Sequence, residues 1–134
     1  MKTFNHIAAR IFLGHIFLLA GISKLGAYAG TQGYMESVGV PGFLLPLVIA
    51  LEIAGGLCVI VGFKAHIVSY ILAGFTIVAA LLFHNNFADQ IQMIMFMKNI
   101  AIAGGFLLLA NNGSGALSVD RALTNSGRKQ AGQS

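Results

Sequence analysis

At 134 residues the chain has room for one domain. Its 57% hydrophobic against 9% charged residues, with a mean hydropathy of +0.82, exclude a soluble fold, in which about a quarter of the residues are charged. The formal charge of +4 comes from eight basic residues scattered without a run or stripe, and the mostly phenylalanine aromatics sit inside apolar segments, which excludes nucleic acid as a partner. The single cysteine, Cys58, excludes an intrachain disulfide, a dithiol couple and a cysteine-based zinc site.

In chain order, the first apolar run extends from Ile7 to Ser23, follows Lys2 and is interrupted by Arg10 and His15. A basic start, an apolar stretch and Ala27-Tyr28-Ala29 also fit a secretory signal with its cleavage site. The charged interruptions, Lys24 beside the supposed cut and the apolar runs that follow favour a retained helix over about 5–24. The glycine-rich stretch GAYAGTQGYMESVGVPG is too polar for hydrocarbon and reads as a loop. Within it, Thr31 caps a short interfacial helix to Val38, stopped by Gly39 and Pro41, with Tyr28 and Tyr34 at headgroup level.

The second span covers about 43–63, with Pro46 in its first turn, where the missing N–H costs little. Lys64 marks a tight turn into a third span over about 65–84, which makes the two antiparallel neighbours. His84-Asn85-Asn86-Phe87-Ala88-Asp89-Gln90 ends it, and a fourth span over about 91–110 contains Lys98 and is closed by Asn111-Asn112-Gly113-Ser114-Gly115. The polar tail, about 118–134, is expected to fray apart from what Asp120 and Arg121 hold. The expected fold is thus an all-α, four-helix transmembrane bundle. Four spans put both termini on one side, and Lys2, Arg10, Lys64, Arg121, Arg128 and Lys129 on that side against Lys24 on the other make it the cytoplasmic one.

The chemistry rests on ionisable residues inside the spans. Glu52 lies midway through the second span, where a charge costs at least about 2.5–3.5 kcal/mol unless a partner or water reaches it. At 100° per residue Arg10, Gly14 and Gly21 fall within about 40° of each other with Lys24 on the same side, so the first helix presents one basic, small-residue face inward. Glu52 shares its face with Gly55, Gly56 and Val59, and Lys98 with Ala101 and Gly105, small residues that let helices approach closely in lipid.

With a rise of about 1.5 Å per residue, Glu52 and Lys98 lie about 13 and 10 Å from the outer ends of their helices and can pair. Lys24 and His84 at outer helix ends complete a polar funnel. Plainer readings stand beside these. Glu52 with Lys98 is either a site or a structural ion pair that fixes which helices pack. Arg10 and Lys24 serve as snorkelling anchors, or Arg10 reaches toward Glu52. His15 points about 140° from Arg10 and suits a polar helix contact; His66 suits the headgroups; Cys58, on the helix face opposite Glu52, reads as a small buried hydrophobe. His84 has no second histidine on its turn and makes no metal site.

The succession of Arg10, LGHIFLLAGISK ending at Lys24, GYMESVGVP at 33–41, LEIAGGLCVIVGF at 51–63, His84, KNIAIAGGFLLLA at 98–110 and GALSVD at 115–120 resembles the DoxX family of small bacterial membrane proteins over nearly the whole chain. The resemblance implies a four-helix inner-membrane protein. It further implies an accessory or quinone-linked role in a membrane redox system, since the family is named for a subunit associated with quinol oxidation and has relatives linked to thiosulfate:quinone oxidoreductase. Quinone is then the expected ligand, with no intrinsic cofactor, and membrane or peripheral oxidoreductase subunits are the expected partners beside the bilayer and a second copy of the chain. The residues leave three roles open: a quinone site made by Lys24, Glu52, His84 and Lys98, with Glu52 relaying protons; a structural subunit held by the ion-pair candidates Arg10, Glu52, Lys98, Asp120 and Arg121; and an oligomeric small-solute transporter.

Overall fold

Four long apolar segments govern the architecture seen in the computed structural model, which describes residues 1–133. Helix α1 spans Lys2–Gly26 and α2 spans Tyr28–Ser37. A 3₁₀ turn at Gly42–Leu44 leads into α3, Leu45–Val61, followed by α4, Ala65–Phe83, α5, Gln90–Asn112, and α6, Val119–Ala131. No strand occurs among the described residues. In lipid the backbone must satisfy its own polar groups, so helices long enough to cross are the economical solution for such segments. Helices α1, α3 with its 3₁₀ lead-in, α4 and α5 each meet the length and hydropathy of a membrane span.

Two elements depart from the sequence-based expectation. Thr31 does not cap the short helix: α2 begins at Tyr28, after a break at Ala27, and the Thr31 hydroxyl donates back to the Ala27 carbonyl at 2.8 Å from inside the helix. The tail does not fray either. Ser118 Oγ accepts the Arg121 N–H at 3.2 Å as an N-cap, Asp120 occupies the first turn, and Arg128 and Lys129 occupy the last, so both ends of α6 complement its dipole. Ser134 lies outside the described residues.

The four spans pack as two intimate pairs, α1 with α3 and α4 with α5, joined by sparser contacts of α3 with α4 and of α1 with α5. Small residues make the α1–α3 seam. A Cβ on Gly14 would lie 2.8 Å from the Gly56 carbonyl oxygen, and one on Gly56 would lie 2.8 Å from that of Gly14. Phe17 fills the space between the pairs, edge-on to Phe106 at 5.4 Å between ring centroids. The outer surface carries Phe12, Leu47, Leu57, Ile67, Val78 and Leu108, as suits a molecule whose solvent is hydrocarbon. Because α1 neighbours α3 and α3 neighbours α4, helix α5 stands diagonally across from α3.

Candidate functional site: a polar cavity under α2

In the half of the bundle away from the termini the two pairs diverge around a cavity of about 380 Å³, within the range of about 300–1,000 Å³ typical of small-molecule sites. Phe17 and Ala20 of α1, Phe75 of α4 and Ile102 of α5 make apolar walls, while Lys24, Glu52, Thr76, His84, Lys98 and Asn99 supply polar groups. Helix α2 borders it with Tyr34 and Met35. Met35 is buried with Leu45 and Ile49, and the Tyr34 ring stacks on Phe83 at 5.8 Å while its hydroxyl donates to the Phe83 carbonyl at 3.1 Å. The packing thereby fixes α2 against the ends of α3 and α4.

Glu52 is 5% exposed, and Lys24 Nζ donates to both of its carboxylate oxygens at 2.9 Å. The partner expected from depth was Lys98. Depth was the wrong criterion, because α1 lies directly against α3 and α5 lies across the bundle. Side chains lean toward their helix N-terminus, so Lys24 in the last turn of α1 turns back into the bundle. The glycine seam brings it close: a Cβ on Gly21 would lie 3.1 Å from Glu52 Cβ. Lys24 is therefore no snorkelling anchor. Lys98 is exposed, lines the same cavity and forms no salt bridge among the described residues.

His84, just beyond the end of the third span, also lines the cavity. Burial first, and the neighbouring Lys98 second, hold its imidazole below its ordinary pKa, against a hydrogen bond with Gln92 that raises it. Its Nδ1 is enclosed without a hydrogen-bond partner among the described residues. Asn99 Nδ2 reaches the Thr76 carbonyl at 3.5 Å, the weak limit of a hydrogen bond.

The opposite end holds the remaining ion-pair candidates in a different arrangement. Arg10 is 3% exposed and faces inward. Its guanidinium donates to the Ile60 carbonyl at 3.3 Å and to the Leu117 carbonyl, far from Glu52. Asp120 makes no salt bridge among the described residues but accepts the Lys64 and Ala65 N–H groups at 2.6 and 3.0 Å, capping α4. Those donors belong to a tight turn in which Gly62 has φ 74° and Lys64 has φ 49°. A side chain at Gly62 would also strike Ser114 and Ser118. Arg121 is exposed and forms no ion pair among the described residues.

His15 is exposed with Nδ1 3.2 and 2.7 Å from the Ile11 and Phe12 carbonyls of its own helix. His66 Nδ1 meets the Ala110 carbonyl of α5. Sequence reasoning missed the Tyr34–Phe83 latch and the cap by Asp120. A tyrosine within an interfacial helix was the available signal for the first; the second had none, since Lys64 and Asp120 are 56 residues apart.

The DoxX family model matches residues 6–85, a stretch that includes Lys24, Glu52 and His84. The chain belongs to the DoxX family. It is 54% identical over 117 residues to "Inner membrane protein YqjF" of Escherichia coli (strain K12), covering 87% of this chain and 90% of that protein. It is 35% identical over 122 residues to "Inner membrane protein YphA" of the same organism, covering 86% and 87%. A third relative, "Putative oxidoreductase CatD" of Bacillus subtilis (strain 168), is 33% identical over 73 residues, 54% of each chain. No solved structure matches significantly. With its four apolar spans and these relatives, this DoxX protein is an integral protein of the inner membrane.

Proposed function

We propose that the cavity binds a quinone-type molecule drawn from the bilayer, and that the protein serves as a quinone-linked or accessory subunit of a membrane redox system with both termini in the cytoplasm. The observation that carries this reading is the Lys24–Glu52 pair set into the wall of a largely apolar cavity whose lining also holds Lys98 and a His84 Nδ1 without a hydrogen-bond partner among the described residues. The oxidoreductase name of the CatD relative supports the redox part.

On this reading the apolar walls take the quinone ring, and Lys98 and His84, which line the cavity, serve as donors to its carbonyl oxygens. A quinone, when bound, supplies reversible uptake of electrons and protons. Glu52, held by Lys24 Nζ, is the group able to hold or release a proton at the cavity wall. The electrons come from a partner oxidoreductase.

The test is quinone binding by the purified protein in lipid nanodiscs. Wild type should take up a short-chain quinone analogue, and Glu52→Gln should abolish uptake while the protein still inserts; no uptake by wild type would sink the reading. A second reading is favoured by one observation, that the Lys24–Glu52 pair joins the same two helices as the Gly14–Gly56 seam. On it the pair only fixes helix packing, and uptake would survive replacement of both residues by apolar ones.

A further inference from the structure

The cavity's fixed charges do not balance. Lys24 and Glu52 neutralise each other through two hydrogen bonds of 2.9 Å, which leaves Lys98 as a cation on the same cavity with no salt-bridge partner among the described residues. The acid nearest in sequence, Asp89, forms no salt bridge with it. Asp89 is committed to the start of α5, where its Oδ1 accepts the Ile91 N–H at 2.9 Å. His84 does not offset the imbalance: it carries no negative charge, and its Nδ1 is a polar atom in the same lining with no hydrogen-bond partner among the described residues. Lys98 lies eight residues into α5, about 12 Å along the helix from its start. A lysine at that depth needs an anion or water, since hydrocarbon leaves the ammonium unsolvated.

From this we infer that the cavity selects a head group bearing one negative charge, with Lys98 as the specificity-determining residue. The favoured occupant is an acidic hydroxyquinone or a similar amphiphilic monoanion, and an uncharged quinone of the same shape is the poorer fit. Its oxyanion sits at Lys98 Nζ. Its apolar body lies among Phe17, Phe75 and Ile102. This rests on the proposed quinone-type cavity and adds the charge of its occupant.

The experiment compares two probes of nearly equal shape, a 2-hydroxy-3-alkyl-1,4-naphthoquinone, ionised at neutral pH, and its 2-methoxy ether, which cannot ionise. Both are titrated calorimetrically into the full chain in phosphatidylcholine nanodiscs, with partition into empty nanodiscs subtracted. The acid should bind at least about tenfold more tightly than the ether, the worth of one charge-assisted hydrogen bond. Lys98→Gln should shrink the ratio of acid to ether affinity to about twofold or less, and Lys98→Arg should keep it. Equal binding of acid and ether by wild type overturns the charge selection and leaves the quinone-type cavity standing. An advantage that survives Lys98→Gln overturns the assignment to Lys98. Binding of neither probe overturns both.

Discussion

The two ends of the bundle handle buried charge in opposite ways. At the end with the termini, Arg10 is spent on backbone carbonyls of two other segments and Asp120 on backbone N–H groups at the start of α4, so each charge closes a gap in main-chain hydrogen bonding. At the far end, Lys24 and Glu52 are spent on each other beside a cavity, and Lys98 and His84 Nδ1 have no comparable partners among the described residues. Charges tied to the backbone cannot be removed as a set, because the carbonyls and N–H groups stay behind. Charges tied only to each other can. One end is therefore committed to holding the fold, and the other leaves polar groups facing a cavity.

Breaking this contrast starts with the largest expected effect. Arg10→Ala strands the Ile60 and Leu117 carbonyls and opens a cavity, and should cost about 3–5 kcal/mol in reversible unfolding from detergent micelles. A second substitution, Asp120→Ala, should not repair it. Lys24→Met leaves Glu52 buried without a cation and should cost about 3 kcal/mol at neutral pH, somewhat less than a fully buried pair because Lys24 is 28% exposed. Here adding Glu52→Leu should recover most of the loss. If the Arg10 and Asp120 effects cancel in the double variant while those of Lys24 and Glu52 do not, the contrast is reversed.

Smaller effects sharpen it. Gly56→Ala, whose Cβ would meet the Gly14 carbonyl oxygen at 2.8 Å, should cost about 1–3 kcal/mol by forcing the α1–α3 seam apart. Gly74→Ala, with open space around the added atom, should stabilise the protein by about 0.5–1 kcal/mol through helix propensity alone. Lys98→Gln should leave the unfolding midpoint in place, since no salt bridge holds that side chain among the described residues, while shifting the ratio of probe affinities.

The spans were legible because apolar length alone specifies a bilayer-crossing helix, and the inward face of α1 was legible from the spacing of Arg10, Gly14 and Gly21, all of which are buried. Glu52 announced itself as an acid that lipid cannot accommodate. Its partner was illegible because depth along a helix says nothing about which helices are adjacent, and only the two-pair packing places Lys24 rather than Lys98 against it. The cap from Asp120 was hidden for a similar reason, since the donors are defined by a turn in another part of the chain. Helix α6 was readable: Ser118, Asp120, Arg128 and Lys129 sit where a capped helix would put them, and the polar composition of the tail outweighed that pattern.

The carboxylate of Asp120 holds a turn made of residues synthesised long before it. While the ribosome is still delivering α5, the start of α4 has two unclaimed N–H groups at the membrane surface, and Arg10 still lacks the Leu117 carbonyl. The bundle thus has a built-in last stitch, and a chain terminated just short of residue 117 would insert all four spans yet leave that end unfastened, open to proteolysis in the α3–α4 turn.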